Sequence, residues 1–81
     1  MSNIKNLVET FLHMKSSKEM KDFLLGILTP KEIEEISRRL EIIKMLKKGV
    51  SQHVIAENLG VGVATVTRGS RELKNKRFQY I

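Results

Sequence analysis

The chain has no cysteine and only two histidines, His13 and His53. Disulfides and thiolate metal centres are excluded, and two imidazoles in separate segments do not make a metal site. Long apolar runs are missing as well, since none approaches the roughly 20 residues of a membrane helix. The opening residues Ser2, Asn3, Lys5 and Glu9 interrupt any secretory leader, so the expectation is a cytoplasmic protein without a membrane partner. No glycine-rich phosphate loop and no catalytically spaced pair of carboxylates stands out, which points away from an enzyme. Tryptophan is absent too, but in a chain this short that carries no information.

What is present is 41% hydrophobic residues, too many for a disordered chain. With 81 residues the expectation is a single domain, 1–81, that buries too little surface to be comfortably stable alone. A second subunit is the remaining aid. Fifteen Lys and Arg against nine Asp and Glu give a formal charge of +6, which favours a polyanionic partner. Arg68, Arg71, Lys74, Lys76 and Arg77 are offset nearby only by Glu72, so the C-terminal segment is the positive end.

The apolar spacing predicts an all-α chain of five short helices. Ser2 or Asn3 caps the first, whose face is Ile4, Leu7, Val8, Phe11 and Leu12. Ser16 and Glu19 have capping-box spacing and start the second, through Met20, Phe23, Leu24, Ile27 and Leu28, with Gly26 weakening its last turn. The strongest start signal is "TPKE", with Thr29 as N-cap, Pro30 at the first helical position and Glu32 closing the box. This third helix turns Ile33, Ile36, Leu40, Ile43 and Leu46 inward, with Ile42 and Met45 widening its apolar face, and stops at Gly49. Ser51 caps a fourth helix from Gln52 to about Leu59, Gly60 supplies a left-handed turn, and a fifth runs to Lys74. "NKRFQYI", residues 75–81, is too short for a stable helix, yet Phe78, Tyr80 and Ile81 want cover.

Ile55, Ala56, Leu59, Gly60, Val61 and Val66 have the pattern of a helix-turn-helix, in which the second helix enters the major groove of DNA. Taken alone, "VATVT" is strand-like, and the bland alternative is an ordinary helical corner. As a recognition helix it presents the short side chains Ala64, Thr65 and Thr67 to base edges, with Val63 and Val66 facing the core or a thymine methyl. Gln52 and His53 start the fourth helix, where they suit phosphate oxygens, and Arg71 and Lys74 extend the basic surface. For His53 an idle surface position is an equal alternative, and His13 is read as surface.

"LTPKE", "SRRLEIIKMLKKGVSQ" and "IAENLGVGVATVTRGSRELK", within residues 28–74, resemble the tryptophan repressor family. That family is a standard example of helix-turn-helix docking and of water-mediated base contacts. The resemblance implies a transcriptional repressor that is an intertwined homodimer, with residues 1–49 as dimerisation helices, 51–74 as the helix-turn-helix and 75–81 as a short tail. It further implies L-tryptophan as corepressor, a palindromic operator as partner, and no metal. Matched by position, Arg39 and Arg68 would sandwich the indole, Arg68 and Thr29 would hold the carboxylate, and carbonyls around Gly26 and Leu28 would meet the ammonium. Gly69 would lack a side chain because the ligand, or the helix behind it, lies against the backbone. Glu72 stands where the family usually has a serine facing the amino group. Each role has a plainer alternative: capping alone for Thr29, a pair with Glu35 for Arg39, a phosphate contact for Arg68 and a tolerated defect for Gly69. A DNA-binding regulator with no ligand or another ligand, and a helical protein-interaction module, are the competing functions.

Overall fold

A computed structural model describes residues 2–81, all helix and turn, with helices α1 (Ser2–His13), α2 (Ser17–Ile27), α3 (Pro30–Lys47), α4 (Gln52–Leu59) and α5 (Val63–Lys74). The chain divides into two units, the first ending at Ile33 and the second running from Glu34 to Ile81.

In the first unit α1 begins at Ser2, so Asn3 lies inside the helix and is not its cap, and a capping role for the Ser2 side chain falls outside the described residues. Phe11 and Phe23 meet edge to face with centroids 5.6 Å apart, tying α1 to α2. Ser16 Oγ accepts from Glu19 N–H as the capping box requires, but the Glu19 carboxylate reaches one residue further back and accepts from Lys15 N–H at 3.0 Å. The box at α3 is reciprocal: Glu32 N–H donates to Thr29 Oγ1 at 3.1 Å, and Thr29 N–H donates to Glu32 Oε1 at 2.9 Å. Donation to the Glu32 carboxylate, from the Thr29 N–H first and the Thr29 hydroxyl second, holds that carboxyl below its ordinary 4.5. The apolar stripe of α1 is amphipathic as expected but uncovered, with Ile4, Leu7, Val8 and Leu12 exposed.

The second unit holds every buried residue among those described. Ile42, Ile55, Ala56 and Val66 form one cluster, and Met45, Leu46, Val50, Leu59 and Val61 pack around it. The fit follows from the sequence pattern. Gly60, at φ +65°, ends α4, and Val61 N–H bonds to Ala56 C=O, so Val61 folds back onto the cluster. Gly49, at φ +85°, ends α3 likewise, with Val50 N–H on Met45 C=O. On α3 the buried pair is Ile42 and Ile43, whereas Ile36 and Leu40, expected inward, are exposed. The α4 and α5 packing rotates the seam toward Ile42, which reads as a secondary position on spacing alone.

The tail continues past α5 without helix. Lys76 adopts φ +63°, Lys76 N–H bonds to Leu73 C=O, and Arg77 N–H bonds to Glu72 C=O at 3.1 Å. This is the left-handed helix ending usually given to glycine, here made by a lysine.

Candidate functional site

Helix α5 carries three faces, spaced by its 100° per residue. Val66 is fully buried against Ile42 and Ile55, so it serves the core and not a base edge. Val63, the other member of that pair of expectations, is exposed. The outward row, Ala64, Arg68 and Arg71, is exposed, as is Lys74 in the last turn. Thr67 donates its hydroxyl proton to Gln52 Oε1 at 2.8 Å. That bond ties the start of α4 to α5 and leaves the Gln52 side-chain NH2 free to donate. Ser51 Oγ caps α4 through Val54 N–H at 3.4 Å, and His53 is exposed beside it. Gln52, His53, Ala64, Thr65, Thr67, Arg71 and Lys74 thus come from two adjoining helices of one compact unit.

The third face of α5 lines a cavity of about 480 Å³, within the range of small-molecule sites. Thr65, Arg68, Gly69 and Glu72 contribute from α5, and Ile36, Arg39 and Leu40 from α3. Four of the residues singled out for a ligand, Arg39, Arg68, Gly69 and Glu72, are therefore brought together. Two guanidinium groups, one carboxylate and an aliphatic floor of Ile42 and Ile43 suit a zwitterion with a flat apolar side chain. Arg39 forms no pair with Glu35; the α3 pair is Arg38 with Glu34, at 3.2 Å. Arg68 sits at the edge between the cavity face and the outward row.

Gly69 has a specific steric reason. A Cβ built on it would lie 3.1 Å from Ile43 Cδ1 and 3.4 Å from Ile42 Cγ2. The helix behind it is α3, which approaches as closely as the missing side chain allows. Thr29, Gly26 and Leu28 belong to the first unit. There Thr29 caps α3, Leu28 N–H closes α2 onto Leu24 C=O, and Gly26 lies in the last turn of α2, where carbonyls lack helical partners.

Sequence reasoning passed over the residues that the tail and the end of α3 add. Phe78 and Ile81 also line the cavity. Lys47 Nζ donates to the main-chain oxygen of Phe78 at 2.8 Å and to that of Ile81. The signal was partial: Phe78 and Ile81 read as apolar residues in need of cover, while no local pattern ties Lys47 to a partner 31 residues away.

The family whose model matches this chain is described as Trp repressor protein, and the match covers residues 2–81. The chain belongs to the Trp repressor family. Among its relatives, a Trp operon repressor homolog of Vibrio parahaemolyticus is 41% identical over 73 residues, 89% of this chain and 71% of the relative. A homolog of the same name from Photobacterium profundum is 48% identical over 65 residues, 76% of this chain and 63% of the relative. One from Actinobacillus succinogenes is 36% identical over 75 residues, 91% of this chain and 74% of the relative. No solved structure matches the chain. The Trp repressor family is one of regulators, which agrees with the expectation that the chain is not an enzyme. No described helix is long and apolar enough to cross a membrane, and the described residues hold no cluster suited to a metal ion.

Proposed function

We propose that this member of the Trp repressor family is a cytoplasmic, DNA-binding transcriptional repressor, acting as a homodimer on a palindromic operator with L-tryptophan as corepressor. The observation that carries it is the position of Arg68. One helix, α5, turns Thr65, Gly69 and Glu72 to the cavity and Ala64 and Arg71 outward, and Arg68 stands where the two faces meet. A ligand carboxylate held by Arg68 and an indole stacked between Arg68 and Arg39 would fix the side chains from which the DNA-facing row extends.

The chemistry of the cavity fits the ligand. Arg39 and Arg68 supply planar cations for the ring and the carboxylate, and Glu72 supplies an anion for the ammonium in place of the family's serine. On the DNA side, Ala64 is short enough to let α5 approach base edges, Val63 offers an apolar contact, and Thr67 orders Gln52 for a phosphate, while Thr65, expected at a base edge, lines the cavity instead. His53, Arg71 and Lys74 extend the phosphate contacts. Ten Lys and Arg against five Glu lie in residues 34–81, compared with five against four before them, so the unit carrying the helix-turn-helix also holds nearly all the net positive charge. The exposed stripes of α1 and α2 supply the apolar surface that a second copy would cover.

The test is a titration of operator DNA at fixed salt with and without L-tryptophan. The expected result is at least tenfold tighter binding with the amino acid, and affinity falling steeply as salt rises. Equal affinity in both arms would leave a DNA-binding repressor and remove the corepressor.

A further inference from the structure

We propose that residues 75–81 form a latched wall over the ligand cavity, in which Phe78 selects the ligand's side chain and Lys47 is the positioning residue that holds the wall in place. The inference rests on the reading of that cavity as an amino-acid site.

Two sets of bonds hold the tail against the unit that it belongs to, one at each of its reversals. The chain reverses at Lys76 and again at Phe78, whose φ values of +63° and +62° are rare for residues with side chains and persist only where surrounding bonds enforce them. The first reversal is fixed by Lys76 N–H on Leu73 C=O and Arg77 N–H on Glu72 C=O. The second lies under Lys47, whose ammonium draws together the main-chain oxygens of Phe78 and Ile81. Lys47 comes from the far end of α3 in sequence, 31 residues before Phe78, so the latch closes a loop over α5.

The result of this folding is that Phe78 and Ile81 line the same cavity as Ile42 and Ile43, and the cavity keeps the volume of a small-molecule site, about 480 Å³. The tail is therefore a wall and not a plug. Arg77 approaches Glu72 at 3.9 Å, so the carboxylate that faces the ligand's ammonium is also the one nearest the tail's own cation. An aromatic amino acid fills this arrangement from both ends: its ring lies against Phe78, and its ammonium takes over Glu72 from the exposed Arg77. An aliphatic amino acid satisfies Glu72 and Arg68 but leaves the Phe78 wall without an aromatic partner.

The test uses the full chain, with calorimetric titration of L-tryptophan and L-leucine and amide exchange across residues 71–81, for the unmodified protein, Lys47→Met, Lys47→Arg and Phe78→Ala. Lys47→Met is expected to weaken L-tryptophan binding at least tenfold and to speed exchange of the Arg77 amide by a similar factor, with Lys47→Arg restoring both. Phe78→Ala is expected to reduce the preference for L-tryptophan over L-leucine while leaving L-leucine binding within twofold. If the unmodified protein binds L-tryptophan and neither Lys47→Met nor Phe78→Ala alters affinity or preference, the wall is overturned and the corepressor reading stands. If the unmodified protein binds no L-tryptophan, the corepressor reading falls, and equal Arg77 exchange in the unmodified chain and Lys47→Met overturns the latch as well.

Discussion

The two units of this chain solve different problems with similar helices. Residues 34–81 bury Ile42, Ile43, Ile55, Ala56 and Val66, while the described part of the first unit buries nothing and leaves Leu12 78% exposed and Ile4 63% exposed. The second unit also carries nearly all the net positive charge, and it contains both the cavity and the helices proposed to face DNA. A core of five residues is enough to hold two short helices in fixed relation, which is what reading a groove requires. The apolar stripe on α1 has no such internal use. Its pattern is that of a surface meant to be covered, and the homodimer proposed above gives it a partner.

Ile55→Ala should give the largest effect and breaks the comparison from the strong side. Ile55 is fully buried, and deleting such a side chain costs about 2–5 kcal/mol, a large share of the stability of a domain this size. Leu12→Ala probes the other side. Within one chain Leu12 is too exposed for its loss to matter by more than about 0.5 kcal/mol. Thermal unfolding at several protein concentrations separates the cases: the Leu12→Ala deficit should grow on dilution as a dimer dissociates, while the Ile55→Ala deficit persists at high concentration. A Leu12→Ala protein identical to the parent at every concentration would mean that the α1 stripe is not an interface.

Much of the second unit was legible in the sequence because its determinants are local. Ser51, Gly60 and the apolar set from Ile55 to Val66 each act within a few residues, and α4 occupies Gln52–Leu59 as the spacing predicts. The grouping of Arg39, Arg68, Gly69 and Glu72 came from family resemblance, and the cavity brings the four together. What escaped was set by contacts distant along the chain. Ile42 displaced Ile36 and Leu40 from the core because α3 must meet α4 and α5 together, which no single-helix periodicity contains. Thr67 is engaged by Gln52, 15 residues away, and Lys47 by the tail. A polar side chain read alone shows its capacity to bond but not the partner that takes it.

Gly69→Ala is expected to have a smaller effect, and it separates the structural from the ligand-binding demands within the second unit. Alanine gains roughly 1 kcal/mol of helix propensity over glycine. Against this, the new Cβ meets Ile43 Cδ1 at 3.1 Å, but that atom is the end of a side chain that also borders the cavity and can move into it. Stability should therefore rise by up to ~1 kcal/mol, while L-tryptophan binding weakens as Ile43 takes up cavity space. Loss of stability instead would show that α3 and α5 are packed too tightly to give, and would make Gly69 a packing residue first.

The smallest effect belongs to the first unit, at the capping box of α3. Hydrogen bonds from Thr29 lower the Glu32 carboxyl below 4.5 in the folded chain, so the unfolded chain binds the proton more readily. The contribution to stability is therefore complete above pH 4.5 and is lost as pH falls through the lowered folded value. Glu32→Gln keeps a side chain able to accept from Thr29 N–H but removes the titration. Between pH 6 and pH 3 the melting temperature of the parent should drop slightly further than that of Glu32→Gln, with the added amide exchange confined to the start of α3. If the extra exchange spread instead through α4 and α5, the two units would have to unfold as one, and their contrast would be one of burial alone and not of independent stability.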